Sequence, residues 1–144
     1  MAKFKIKIDA ESNKHYRTDI KTKSFNFTVD EPIGAGGGNE GPGPIDYFLA
    51  GLTGCFNVSA RIVAKEKGLD IKNIKFEVDC TMEFEHESVV GKQRAIFHDV
   101  NMSVSTDAPL DKETLEAWLA ESSERCAVSY AVKSPIPVNV KLVK

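Results

Sequence analysis

Residues 44–68 read PIDYFLAGLTGCFNVSARIVAKEKG, and this stretch decides the fold. A proline opens it, where a missing N–H costs a helix nothing. Helix formers fill the middle, and a glycine stands where a left-handed C-terminal residue belongs. The pattern predicts a helix over residues 45–67. From Tyr47 to Ala60 it carries no charged side chain. A surface helix keeps polar groups on its outer side, so this one is expected to be wrapped by protein for nearly four turns, with only residues 61–67 emerging. Gly51 and Gly54, just before Cys55, each cost about 1 kcal/mol relative to alanine in a helix interior. Two accounts stay open for them. One is space for another backbone or for a small substrate reaching the sulfur; the other is tight packing of helix on sheet.

Upstream, residues 31–44 (EPIGAGGGNEGPGP) hold six glycines and three prolines, too much freedom and too few donors for a regular element. This is a loop and not a domain linker. It contains G-x-G at Gly34–Gly36 but lacks the Lys-Ser/Thr of a phosphate loop, so no nucleotide site is expected. Before it, Phe4, Ile6 and Ile8 alternate with Lys3, Lys5, Lys7 and Asp9 and predict a first strand over 3–9. Residues 11–14 read as a turn, 15–22 as a weak strand, and 24–30 as a third with Phe25, Phe27 and Val29 on one side.

Downstream, residues 73–85 place Phe76, Val78, Cys80, Met82 and Phe84 on one face of a half-buried strand. After a polar turn at 85–92, Ile96, Val100, Met102 and Val104 mark its antiparallel partner. Asp111 is the predicted N-cap of a helix with Leu115, Trp118 and Leu119 as its apolar stripe, ending in a solvated stretch at 121–125. A short helix over 127–132 stops at Ser134-Pro135, and Ile136, Val138, Val140 and Leu142 predict a final strand. The order is an α+β pattern.

Bulk properties narrow the function. With 144 residues, 42% apolar and 28% charged, the chain fits one domain over residues 1–144. Acidic residues number 21 against 19 basic, and the lysines are scattered, which argues against nucleic acid. The N-terminus alternates instead of presenting a signal peptide's apolar run, and no run approaches the roughly 18 apolar residues of a membrane span. A cytoplasmic protein is expected, with no membrane partner and with Cys55, Cys80 and Cys126 reduced at rest. His15, His86 and His98 form no metal-binding spacing with the cysteines, so neither metal nor cofactor is predicted.

The cysteines differ in setting. Cys80 lies on a strand's apolar face, where a thiol acts as a small hydrophobe. Cys126 sits between two helices. A thiol at a helix N-terminus gains thiolate character, and Arg125 beside it can act the same way; a buried inert thiol is the other reading.

Residues 43–56 (GPIDYFLAGLTGCF), with Cys126-Ala127-Val128-Ser129-Tyr130-Ala131 some seventy residues on, resemble the OsmC/Ohr family of organic hydroperoxide-reducing proteins. The resemblance covers most of the chain. It implies antiparallel sheets around a long central helix, an intertwined homodimer, and an active site at the subunit interface. It also implies a thiol peroxidase in which the Cys55 thiolate attacks a small-molecule peroxide and Cys126 closes a disulfide, reset by a dithiol reductant such as dihydrolipoamide. The Ohr branch uses an arginine from the N-terminal strands, held by a glutamate ten residues before the first cysteine. Ile45 occupies that glutamate position here, and Asp46 is rotated from it by about 100°. Arg17, which precedes every other arginine, is the candidate for the activating role, against a solvated strand residue. Ala127 replaces a usual proline. These departures resemble an OsmC-like branch outside the Ohr type. The alternative is a non-catalytic protein on the same scaffold, binding a small apolar ligand near Cys55.

Overall fold

The computed structural model describes residues 1–87 and 92–143. Contacts gather into two compact units, Met1–Ala50 and Gly51–Lys144. The first holds an antiparallel sheet of β1 (Asp9–Lys14), β2 (Arg17–Lys21) and β3 (Asn26–Val29) in the order β1-β2-β3. Ala10 lies opposite Ile20, and Ile20 opposite Phe27. The start of the chain corrects the sequence reading. The strand expected over 3–9 begins only at Asp9, leaving Phe4 and Ile6 89% and 92% exposed. The expected turn at 11–14 is part of β1, and the chain reverses at His15, whose φ is 48°. Alternation marks a chain suited to a sheet; it does not supply the neighbouring strand, and β2 offers its bonds to residues 9–14.

Helix α1 (Pro44–Glu66) carries the chain into the second unit. Its end is closed as expected: Gly68 takes φ of 66°, and the amide of Leu69 donates to the Ala64 carbonyl at 2.8 Å. A hairpin of β4 (Ile74–Glu87) and β5 (Lys92–Thr106) follows, with Phe76 opposite Val104, Val78 opposite Met102 and Cys80 opposite Val100. The strands continue into the predicted turn as far as Glu87 and resume at Lys92; its remaining residues, 88–91, lie outside the described residues. Asp111 caps α2 (Lys112–Glu124), its Oδ1 accepting from the Thr114 amide at 2.9 Å. Cys126 caps α3 (Ala127–Lys133).

The core of the second unit is Leu52, Phe56, Ala60, Val63 and Ala64 of α1 with Ile71, Trp118 and Cys126. Trp118, 2% exposed, donates its indole N–H to the Ala60 carbonyl at 2.9 Å, which locks α2 onto α1. Three expectations are corrected here. α1 is not wrapped all round within one chain: Val58 is 58% exposed, and in the segment expected to emerge Ile62 does so, at 43%, while Val63 and Ala64 are buried. By length and composition α1 also meets the criteria of a membrane span, as core helices can. The last strand does not form among the described residues; Ile136, Val138, Val140 and Leu142 are exposed and no strand pairs with them. An alternating segment becomes a strand only where a neighbour accepts its backbone bonds.

Candidate active site

Cys55 and Cys126 meet inside the second unit. Cys55 lies on the half-buried flank of α1, one residue from the buried Phe56, and packs against the core cluster of which Cys126 is a member. Cys55 lies close enough to Cys126 to act on its thiol. All three cysteines are free thiols. Cys80 is half-buried on β4, opposite Val100.

Cys126 is fully buried, and its Sγ accepts from the Ser129 amide at 3.5 Å as the N-cap of α3. The expectation of extra thiolate character is corrected. Burial pushes the thiol up from its ordinary value and the Cys55 side chain adds to that, against the opposing pull of the Ser129 and Val128 amides. The Arg125 guanidinium is turned to other partners: Nη2 donates to Glu66 Oε1 at 3.0 Å, Nη1 to Glu66 Oε2, and a longer contact of 3.4 Å reaches Glu121. Lys67 pairs with Glu121 at 2.8 Å. The stretch at 121–125 is therefore fastened to the end of α1 and is not simply solvated. Its Ser122 is wholly buried, with its hydroxyl on the Trp118 carbonyl.

A Cβ built on Gly51 or Gly54 meets nothing within 4 Å. Tight packing of helix on sheet is thereby removed as their explanation, and the space beside Cys55 is open. A groove of about 420 Å³ is lined by Leu52, Phe56, Val100, Met102, Val104 and Leu119, and Ser129, the residue that binds the Cys126 sulfur, forms part of its wall.

Arg17 belongs to the first unit. Its Nε and Nη2 donate to Asp19 at 3.0 and 2.9 Å and its Nη1 to Glu40, whose other oxygen takes Lys14 at 2.7 Å. The lysine first and the arginine second hold the Glu40 carboxyl below its ordinary value. The Gly-rich segment that carries Glu40 is folded around Asp30, which is 1% exposed. Its carboxylate accepts from the amides of Glu31, Gly38 and Glu40 at 2.8, 3.0 and 3.0 Å. Three such bonds, that from Glu40 foremost, hold its pKa low. At Gly37 a Cβ would sit 1.9 Å from the Glu31 carbonyl oxygen, a close approach only glycine permits. Sequence reasoning missed Glu40 and Asp30. The available signal was a carboxylate placed within a run of glycine and proline, but its partners lie across the sheet and leave no trace in local spacing.

A family model described as OsmC-like protein matches residues 36–141. An uncharacterized protein of Methanocaldococcus jannaschii is 32% identical over 109 residues, covering 76% of this chain and 54% of that protein, so the chain spans about half its relative's length. Among solved structures, an OsmC-like protein from Mycoplasma pneumoniae matches with a TM-score of 0.76 and 22% identity, over 99% of this chain and 100% of that one. An organic hydroperoxide resistance protein OsmC from Legionella pneumophila matches at 0.70 and 18%, over 92% of each chain. The organic hydroperoxide resistance protein OhrB of Bacillus subtilis matches at 0.61 and 24%, over 92% and 93%. At these identities the structural likeness is one of fold.

Proposed function

The chain belongs to the OsmC-like family, and from that premise we propose that it is a thiol-dependent peroxidase acting on organic hydroperoxides through Cys55 and Cys126. The observation that carries this reading is the placing of both thiols in one core cluster, near enough for Cys55 to act on Cys126, with the first beside open space and the second fully buried. The Cys55 thiolate attacks the distal oxygen of ROOH; the O–O bond breaks, the alkoxide takes a proton and leaves as ROH, and the sulfur becomes a sulfenic acid. The Cys126 thiol then attacks that sulfur. An S–S bond forms, the S–O bond breaks, and the hydroxyl leaves with the thiol proton as water. A dithiol such as dihydrolipoamide resets the pair by exchange, becoming the oxidised partner. The buried, proton-retaining Cys126 suits the second role better than the first.

Arg17 takes the activating role that the family resemblance gives it, with Glu40 as the carboxylate that holds it, a task Ile45 cannot perform. A cytoplasmic homodimer is part of the same reading, with residues 1–144 as one domain of each subunit. It is supported by the uncovered face of α1 and by two alternating segments, at Phe4–Ile8 and Ile136–Leu142, that present apolar residues to solvent. A second reading, binding of a small apolar ligand without turnover, is favoured by the groove beside Leu52 and Phe56.

One assay separates the readings. Reduced protein mixed with cumene hydroperoxide is expected to consume it and to form the Cys55–Cys126 disulfide, seen by peptide mass mapping. Cys55→Ser abolishes consumption, Arg17→Gln slows it, and Cys80→Ser leaves it intact. Untouched peroxide, or inactivation by Cys80→Ser, sinks the peroxidase reading.

A further inference from the structure

We infer that the Arg125–Glu66 ion pair is a positioning clamp that holds Cys126 against Cys55 and sets the rate at which their disulfide closes. The inference rests on the redox reading above and adds to it a residue pair that touches neither peroxide nor reacting sulfur.

Arg125 is the C-cap of α2 and Cys126 the N-cap of α3, so these two residues are the entire joint between the helices. A joint of two residues is where the direction between two helices is decided, and here a reacting thiol is built into it. Backbone bonds tie each half of it to its own helix, the Arg125 amide to the Glu121 carbonyl at 3.1 Å and the Tyr130 amide to the Cys126 carbonyl at 2.9 Å, while across the joint the Cys126 amide reaches the Ser123 carbonyl at 3.4 Å. The Arg125 side chain holds it firmly. Nη1 and Nη2 donate to the two oxygens of Glu66, and a planar fork on a carboxylate fixes direction as well as distance. Glu66 is the last residue of α1, eleven positions and about 16 Å of helix rise beyond Cys55. One rigid frame therefore carries both sulfurs: α1 bears Cys55 in its middle and grips, at its end, the joint that bears Cys126.

The competing role for a cation beside a thiol is electrostatic, stabilising the Cys126 thiolate. The two roles predict opposite signs. Glu66→Gln removes the carboxylate that occupies the Arg125 charge. An arginine acting on the thiol is then freed and the sulfur becomes more reactive, whereas a clamp is loosened and closure slows. Closure competes with a second oxidation, in which another ROOH converts the Cys55 sulfenic acid to sulfinic acid and leaves as ROH. The ratio of disulfide to sulfinic acid at rising peroxide thus reads the closing step alone.

The experiment measures that ratio by mass spectrometry on the full chain and, separately, the effective concentration of the Cys55–Cys126 pair in a glutathione redox buffer without peroxide. Glu66→Gln and Arg125→Lys are expected to lower both by about threefold to tenfold, the order expected of a small misplacement between reacting groups. Lys67→Gln, which breaks the neighbouring Lys67–Glu121 pair and leaves the joint alone, changes neither. An unchanged or raised ratio in Glu66→Gln overturns the clamp, and an equal fall in Lys67→Gln reassigns the effect to the docking of α2 as a whole. If the unaltered protein leaves peroxide untouched, the redox reading fails, while the glutathione arm still decides whether the clamp sets the geometry of the pair.

Discussion

Along one side of α1, Leu52, Phe56, Ala60 and Val63 are 8%, 6%, 0% and 0% exposed; along the other, Val58 and Ile62 are 58% and 43% exposed, and Gly51 and Gly54 look onto open space. Most of these residues belong to the charge-free run 47–60, and Ile62 and Val63 follow it directly after Arg61. The buried side is complete within one chain, with indole, hairpin and thiol packed against it and its polar atoms satisfied. The open side has the composition of an interior and the exposure of a surface. The difference teaches that lack of charge in a helix reports the sum of all its coverings, and that a single chain supplies only part of that sum here. The unpaired segments at Phe4–Ile8 and Ile136–Leu142 follow the same rule in sheet form.

The hardest way to break the contrast is to open the buried side. Trp118→Ala removes a side chain that fills the space between α2 and α1 and leaves the Ala60 carbonyl without its indole donor. A loss of about 3–5 kcal/mol is expected in urea unfolding, and the altered protein should expose Cys126 to thiol reagents in the native state. A loss within 1 kcal/mol would mean that the core is not organised around this lock.

What the sequence made legible follows the same division. The bounds of α1 were readable within one residue because proline and glycine act locally, and the Asp111 cap because its acceptor and donor lie three residues apart. The alternation of β4 and β5 was readable because each strand has its partner next in sequence. The terminal strands were misread because periodicity says which face is apolar and nothing about who pairs with it. The candidate site divides likewise. The meeting of Cys55 and Cys126 came from the family resemblance, not from spacing. The holders Glu40 and Glu66 were invisible, since each bonds to a side chain brought near only by folding.

A smaller effect tests how far Cys126 belongs to the buried side. Burial raises its thiol pKa in the folded chain, so the folded state keeps a proton that the unfolded chain gives up. The sign follows: this contribution to stability is fully present below the unfolded thiol value of about 8.5 and is lost as pH rises through the folded value. Between those two values stability should fall by at most about 1.4 kcal/mol per pH unit from this group, and Cys126→Ala should flatten that slope. Equal slopes in the two proteins would show that the thiol ionises as freely folded as unfolded.

The smallest change is the most informative about the open side. Gly54→Ala adds one methyl group where a single chain offers nothing within 4 Å. In an isolated subunit it should therefore only strengthen the helix, by about 1 kcal/mol. Should a second copy of α1 lie against this face, the same methyl meets its backbone, and the gain turns into weaker association, read by sedimentation as a higher dissociation constant. Should the space instead admit peroxide to the neighbouring Cys55, association is unchanged, the helix gains its stability, and the second-order rate of Cys55 oxidation falls. The three outcomes differ in sign across stability, association and rate, so one methyl group tells whether the open face of α1 is solvent, subunit or substrate space.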